Sequence, residues 1–295
     1  MTTPHHHSKF DPFFITSAAE NLVFRRWSAV ATLALLVWEH AITLQTELRY
    51  IWRRPISIVK GIYVFSRYYA LAIQIFNLYL VSGPLSSLEI PEHVCRRWFL
   101  FLTASSCALL ATVDAILMLR VYALYLQDVK AGMFLAALFF GQLMVEFIYV
   151  PIVVKVPFDP ICDAQETHKG VVYFGISLWV KHLAVVAMTL AKRDLAVLGA
   201  PVVRLVRRDG MWVVVLICGF FTAIIPYSFV NQVSKAHVAF GWPMTILSIS
   251  CCRMITNMLQ LRINPDEETE TGGSITTDLS NNCDAFSLHS IDSNK

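Results

Sequence analysis

Charged residues are scarce in this chain. Asp, Glu, Lys and Arg make up 15% of its 295 residues, whereas about a quarter of an ordinary soluble domain is charged. Hydrophobic residues, by contrast, make up 56% of the sequence. This composition argues against a water-soluble globular domain and favours a protein that lies in a membrane.

The chain has no large excess of positive or negative charge, and it lacks the sequence motifs of common enzymes. The formal net charge is only +3, and no nucleic-acid-binding motif is present, so we expect no nucleic-acid partner. The chain has no His-Glu-x-x-His, no Gly-x-Ser-x-Gly and no glycine-rich phosphate loop. We therefore expect neither an enzyme nor a cofactor or metal site, with a membrane hydrolase that lacks these motifs as the alternative.

Seven stretches are long and apolar enough to cross a bilayer, which takes about 20 residues. The sequence therefore predicts an all-α fold, a polytopic membrane helix bundle with seven transmembrane helices. The predicted windows are 27–45, 56–82, 98–119, 131–154, 171–191, 211–230 and 239–261.

The two ends of the chain differ in composition from the part between them. We predict an extracellular or lumenal N-terminal tail over residues 1–26, a seven-helix membrane domain over 27–262, and a disordered, acidic, Ser/Thr-rich cytosolic tail over 263–295. No cleavable signal peptide is evident, so the first span would serve as the targeting signal. The expected location is the plasma membrane or another membrane of the secretory pathway.

Lysine and arginine in the loops predict the orientation, because these residues accumulate on the cytoplasmic side. With the N-terminus outside and the C-terminus inside, most loop cations fall on the inner side, although Arg25 and Arg26 favour the opposite orientation. A basic patch before the sixth span is a candidate contact for a cytosolic partner or for anionic lipid. It consists of Arg204, Arg207 and Arg208. The C-terminal tail is a second candidate contact for a cytosolic partner.

Polar residues recur inside the apolar windows at the spacing of one helix face. Because a charge in hydrocarbon costs about 2.5 to 3.5 kcal/mol on insertion scales, we expect these faces to point into the bundle. The four polar stripes are Arg67–Gln74–Asn77, Gln142–Glu146–Tyr149, Ser177–Lys181 and Ser250–Arg253–Asn257–Gln260.

The ionisable residues within the windows predict a candidate ligand site or ion pathway. We expect a small polar cavity, in which Lys181 pairs with Glu146 while Asp114 and Arg253 form a network with Glu39. The alternative is that these charges are interhelical pairs that only fix the packing of the helices. The predicted cavity residues are Arg67, Asp114, Glu146, Lys181 and Arg253.

Two of the seven cysteines, Cys95 and Cys162, fall in loops that the predicted orientation places outside. An oxidising compartment allows them to form a disulfide. The cysteines inside the windows are expected to pack as small apolar residues. A bridge between Cys95 and Cys162 would agree with an N-terminus on the outer side.

Several short motifs in the first part of the chain resemble those of a known family. The motifs are Trp38–Glu39–His40, Thr43, Glu47, Tyr50, Trp52–Arg53–Arg54–Pro55 and Arg67–Tyr68. They resemble a family of membrane proteins from mushroom-forming fungi, which carry an N-terminal domain of unknown function. The similarity extends over most of residues 30–262, and it implies a multi-span membrane protein with no assigned catalytic residue.

The layout is also similar to that of seven-helix receptors. The similarity rests on the outer cysteine pair, on Arg120 and Tyr122 at the inner end of the third span, and on Pro226 in the sixth. The chain departs from that layout at Leu119, where receptors carry an acid, and it has no Asn-Pro-x-x-Tyr in the seventh span. We expect a receptor-like protein that binds a small ligand. A transporter or proton-coupled carrier and a non-signalling scaffold are the alternatives.

Overall fold

The chain is almost entirely helical in a computed structural model that describes residues 12–52, 57–87, 90–166, 168–191, 201–231 and 240–263. Within these ranges there is no β-strand, only an isolated bridge between Phe158 and Ala164. The predicted all-α fold is confirmed. The α-helices are α1 (Pro12–Glu47), α2 (Ile58–Val64), α3 (Ala70–Ser82), α4 (Glu92–Leu124), α5 (Val129–Val153), α6 (Gly170–Ala191), α7 (Pro201–Asn231) and α8 (Trp242–Ile263).

Two short π-helical turns lie in the first part of the chain. The first, Leu48–Trp52, continues α1, and the second, Phe65–Tyr69, joins α2 to α3. Because the second turn keeps the helix continuous, α2 and α3 together form one apolar helix over Ile58–Ser82. π-Helical turns are rare and are frequently found at functional sites.

Five helical segments are long and apolar enough to cross a membrane, and the protein is membrane-embedded. They are Ala19–Glu47, Ile58–Ser82, Glu92–Leu124, Val129–Ile152 and Gly170–Ala191. The last two predicted windows are largely helical, in α7 and α8, but their described parts do not meet the same criterion. The apolar stretch of α7 is the shorter Gly210–Ile224, and α8 carries hydroxyl and amide side chains along its length. Seven spans and their orientation therefore stay predictions.

The chain ends differ from the predicted windows. α1 begins at Pro12 rather than near residue 27, so a large part of the predicted N-terminal tail 1–26 is helical. Residues 1–11 and 264–295 lie outside the described residues, and nearly all of the predicted C-terminal tail falls there.

α4 lies at the centre of the bundle. It contacts α5, α6 and α8, and apolar side chains are buried along its length, from Trp98 through Leu109 to Val121. α1 packs against α3 and α8, while α7 packs against α6 and α8. A charged side chain in the middle of α4 must therefore find its partner on a neighbouring helix.

One end of the bundle is closed by a disulfide between Cys95 and Cys162, as predicted. The bridge joins the start of α4 to the segment between α5 and α6, and we call this end the disulfide end. Arg25 of α1 reaches it, donating hydrogen bonds to the carbonyls of Ile161 at 2.6 Å and Leu85 at 2.5 Å. The Arg25 charge is buried in these contacts. Arg25 is therefore not an exposed loop cation and does not favour either orientation of the chain.

Candidate functional site

The first buried charge pair joins α1 to the second π-helical turn. Glu47 is the last residue of α1, and Arg67 is the middle residue of Phe65–Tyr69. Arg67 Nε lies 2.9 Å from Glu47 Oε2, and both side chains are buried. Neither atom has an aligned hydrogen-bond partner, so the contact between them is an ion pair rather than a hydrogen bond.

Further polar groups surround this pair. The second carboxylate oxygen, Glu47 Oε1, accepts hydrogen bonds from Trp52 Nε1 at 3.1 Å and Tyr68 Oη at 3.0 Å. Arg67 donates through Nη1 to Thr43 Oγ1 at 2.8 Å and through Nη2 to a backbone carbonyl of α1 at 3.0 Å. We call these five residues the Glu47–Arg67 cluster. One acid faces one base, the arrangement expected of a contact that fixes two helices together.

The second buried charge pair joins α4 to α6. Asp114 Oδ2 and Lys181 Nζ are in direct contact, and both side chains are buried. His182 meets the same carboxylate, because its Nε2 is 3.4 Å from Asp114 Oδ1, while its Nδ1 is 2.8 Å from the Leu178 carbonyl. A neutral imidazole has only one N–H donor. His182 can therefore direct an N–H towards both acceptors only when it is protonated, and its Nε2 makes no aligned hydrogen bond to Asp114.

A second carboxylate, Glu146 of α5, belongs to the same region. It is buried and accepts a hydrogen bond from Gln142 Nε2 at 3.3 Å. Lys181 and Asp114 interact with it electrostatically. Three helices thus bring two carboxylates and one ammonium group together. We call Asp114, Gln142, Glu146, Lys181 and His182 the Asp114–Lys181 cluster.

The third charge pair joins α1 to α8. Arg253 donates to Glu39 through Nε at 2.7 Å and through Nη2 at 3.0 Å, which is a bidentate contact. Glu39 is buried, but the Arg253 side chain is 62% exposed. Glu39, Thr43 and Glu47 are spaced four residues apart and share one face of α1. That face binds one arginine from α8 and another from Phe65–Tyr69.

The predicted pairings are wrong in two respects. Lys181 contacts Asp114 rather than Glu146. Asp114 therefore takes no part in the pair that Arg253 forms with Glu39. Spacing along a helix predicts which residues share a face, but it does not specify which helix lies beside that face. Here α4 packs against α6 as well as α5.

The polar stripe of α8 does not face the interior at Arg253, contrary to the prediction, and the side chain of Gln260 in that stripe lies outside the described residues. Arg253 is mostly exposed, and polar residues lie on more than one side of this helix, so spacing alone could not identify the buried side. The buried side is formed by Thr245, Ser248, Cys252 and Ile255.

The polar stripe of α3 is confirmed as an interior one. Gln74 Nε2 donates to the Gly241 carbonyl at 2.8 Å and lies 3.1 Å from Thr245 Oγ1. Asn77 Oδ1 accepts a hydrogen bond from Trp98 Nε1 at 3.0 Å. These uncharged contacts lie towards the disulfide end and tie α3 to α8 and α4.

Arg120, part of the receptor-like motif, is buried and contacts α8. It donates a hydrogen bond to the Met254 carbonyl, and its Nε lies 3.1 Å from Met258 Sδ. Tyr122 lies against Gly132 near the start of α5. In this chain the motif fixes α4 against α8 and α5.

Among the acidic and basic side chains of these clusters, Glu47 and His182 were not among the predicted cavity residues. Glu47 lies four residues after Thr43 and eight after Glu39, and this spacing is a signal that could have identified it. His182 directly follows Lys181, and because successive helical residues point about 100° apart, spacing alone places the two side chains on different faces. Both side chains nevertheless reach Asp114, because its two carboxylate oxygens contact them separately.

Two further predictions concern the basic patch and metal binding. Arg204, Arg207 and Arg208 belong to the helical backbone of α7, but their side chains lie outside the described residues. Among the side chains that the structure does describe, no group of three or more His, Cys, Asp and Glu is arranged to hold a metal ion.

Residues 14–72 match a family described as Family of unknown function (DUF6533). The chain therefore contains a domain of this family, in agreement with the resemblance of its N-terminal motifs. The matched segment holds both charges of the Glu47–Arg67 cluster, whereas the Asp114–Lys181 cluster lies outside it. No curated protein and no solved structure matches the chain.

Proposed function

We propose that this chain is a receptor-like protein of the plasma membrane or another secretory-pathway membrane. It has seven spans, with the N-terminus outside and the C-terminal tail in the cytosol, and it is related to the fungal membrane proteins that its motifs resemble. A small ligand binds at the Asp114–Lys181 cluster, between α4, α5 and α6.

The observation that carries this proposal is the composition of the Asp114–Lys181 cluster, which has two buried carboxylates and a single ammonium group, with the His182 imidazole as its other base. Lys181 contacts Asp114, but the second buried carboxylate, Glu146, has its hydrogen bond from the neutral Gln142. The Glu47–Arg67 cluster, by contrast, has one base for its one acid. Ionisable residues within membrane spans are functional candidates, and a second carboxylate suits a ligand that brings a cationic group.

Two prolines favour a mechanism by which ligand binding changes the conformation of the protein on its cytosolic side. Pro226 lies within α7, and Pro243 lies near the start of α8. Proline removes one backbone hydrogen bond and allows a helix to bend. α7 packs against α6, which carries Lys181. Ligand binding therefore shifts α7 about Pro226. This shift alters the position of the basic patch, Arg204, Arg207 and Arg208, near the start of α7.

A ligand screen with matched variants tests the proposal. Compounds that raise the unfolding temperature of the purified wild-type protein are tested again on Asp114→Asn and Glu146→Gln. Glu92→Gln, which changes an exposed acid at the disulfide end, is the matched control. We expect the stabilisation to be lost in the cluster variants and kept in the control. Stabilisation that is unchanged in all three variants would contradict the proposal.

A proton-coupled carrier is the second candidate, and it is favoured by the same second carboxylate, Glu146. In a carrier Glu146 would take up and release a proton while the substrate crosses. Reconstitution in liposomes with a pH-sensitive dye separates the two functions. A receptor shows no proton flux in the wild type or in Glu146→Gln, whereas a carrier shows flux that Glu146→Gln abolishes.

A further inference from the structure

α1 and α8 run parallel and in register. At one level, Trp242 Nε1 donates to Ser28 Oγ at 3.1 Å. Arg253 contacts Glu39 further along both helices. Glu39 lies eleven residues after Ser28, and Arg253 lies eleven residues after Trp242. At a rise of 1.5 Å per residue the two contacts are about 16 Å apart along the bundle.

In the seven-span arrangement proposed above, on which this inference rests, α8 crosses the membrane and this spacing places the Glu39–Arg253 pair near its middle. α8 extends from Trp242 to Ile263, so Arg253 is about 16 Å from its first residue and about 15 Å from its last. The hydrocarbon core of a bilayer is about 30 Å thick. Trp242 fits one limit of that core, because tryptophan favours the interface between membrane and water.

An arginine exposed to hydrocarbon at this depth is unfavourable. The Arg253 side chain is 62% exposed although Nε and Nη2 bind Glu39. Long cationic side chains near helix ends escape by reaching the headgroups. Arg253 is too far from both ends of α8 for this, and helical side chains lean towards the N-terminus, away from the end that is slightly nearer. The exposed part of the guanidinium therefore needs protein to cover it.

The surface beside the pair is apolar. Leu35 and Ile42 lie four residues before and three residues after Glu39, so they share its side of α1. Their side chains are 40% and 50% exposed. A partner that covers this surface meets apolar side chains with a single ion pair among them.

We propose that this surface, formed by Leu35, Ile42 and the Arg253 guanidinium bound to the buried Glu39, is the interface between two copies of the chain. Two copies related by a two-fold axis along the membrane normal present the same residues at the same depth. The exposed part of each Arg253 guanidinium then lies beside the Glu39–Arg253 ion pair of the other copy. Lipid tails offer no such acceptor, whereas a second copy carries the complementary charge at the required level.

Cysteine cross-linking in native membranes tests where the copies meet. Leu35→Cys and Ile42→Cys are introduced separately into the full-length chain, in a background that carries Cys283→Ser in the tail. Phe147→Cys on α5 is the control, because that side chain is 82% exposed and lies on a helix remote from α1. We expect an oxidant to give a covalent dimer with the α1 cysteines and not with the control. No dimer at either α1 position, or equal dimer at all three, would overturn the proposal.

The role of the ion pair is tested by removing both charges at once. Glu39→Gln with Arg253→Gln leaves no unpaired charge, and an unchanged unfolding temperature of the monomer shows that the variant folds. Counting fluorophore bleaching steps in single nanodiscs should give two copies for the wild type, and association at least about tenfold weaker for the double variant. One copy for the wild type points to lipid or an unrelated partner and contradicts the proposal, as do two copies in both proteins.

Discussion

Glu47 and Arg67 form a buried ion pair between the end of α1 and the π-helical turn Phe65–Tyr69, with Arg67 Nε 2.9 Å from Glu47 Oε2. Both residues lie in the segment 14–72 that matches the family of unknown function. α1 also packs against α3, which follows the turn directly. The matched segment therefore contains nearly all of α1 and the turn that leads into α3, and this ion pair joins them at the end of the bundle opposite the disulfide.

Removing one member of the pair should cost more than removing both. Arg67→Met leaves the Glu47 carboxylate buried without its cation, and we expect it to lower the free energy of unfolding by about 3 to 5 kcal/mol. Adding Glu47→Gln to Arg67→Met should recover part of that loss. Thermal unfolding of the single and double variants in detergent measures the coupling. Glu92→Gln, in the exposed pair with Arg96, should change stability by less than about 1 kcal/mol. Additive effects of the two buried substitutions would exclude a direct interaction.

Arg25 should matter far more than its neighbour Arg26. Arg25 is buried and donates to the carbonyls of Leu85 and Ile161, and its guanidinium lies over Trp98 at 5.3 Å from the ring centroid. Arg25→Met leaves two buried carbonyls without a donor, at about 1 to 3 kcal/mol each. Arg26→Met removes the same charge from an exposed position and should be nearly neutral. Equal unfolding temperatures for the two variants would contradict this role.

Two glycines of α5 should respond in opposite directions to alanine. A Cβ at Gly132 would lie 2.8 Å from the Tyr122 ring, whereas one at Gly141 would meet nothing within 4 Å. Gly132→Ala is expected to destabilise the protein by about 1 to 3 kcal/mol through overpacking. Gly141→Ala should stabilise the helix by about 0.5 to 1 kcal/mol. Unfolding temperatures measure both effects, and a stabilising Gly132→Ala would show that Tyr122 does not pack there.

Asp159, in the segment between α5 and α6, should make stability depend on acid pH. Burial raises the pKa of its carboxyl above 3.8, against hydrogen bonds from the backbone N–H groups of Asp163 and Ile161 and the charge of Arg25. Because the folded chain binds this proton more tightly than the unfolded chain, the stabilisation is full below pH 3.8 and is lost as the pH rises through the raised pKa. Asp159→Asn cannot titrate. The unfolding temperature of Asp159→Asn should therefore increase relative to that of the wild type as the pH rises over this range. A difference between the two unfolding temperatures that does not change with pH would contradict the raised pKa of Asp159.

Helical spacing identified several interior residues correctly, because the cost of a polar group in hydrocarbon restricts where it can face. Gln74, Asn77, Glu146 and Lys181 are buried as that argument requires. The disulfide was also predictable, since only its two cysteines fell in loops on the same predicted side.

The ion-pair partners of the charged residues could not be predicted from the spacing of residues along the helices. Asp114 lies on the central helix, with α5 and α6 both beside it, and nothing along the chain indicates that Lys181 rather than Arg253 is its neighbour. Arg253 shows a second limit. Its helix has polar residues on several sides, so the assumption that an arginine faces inward failed where the buried side is formed by uncharged residues such as Thr245 and Ser248.

Glycosylation mapping tests the seven-span architecture most directly. None of the asparagines in the chain is followed two positions later by Ser or Thr, so the native sequence supplies no such Asn-x-Ser/Thr acceptor for N-glycosylation. An acceptor on a polar linker is inserted in turn within 1–11, 192–200, 232–239 and 264–295, and the chain is expressed in eukaryotic cells. Seven spans with the N-terminus outside predict modification at 1–11 and 232–239 alone. Modification of the C-terminal segment, or the same result at 232–239 and 264–295, would contradict this architecture.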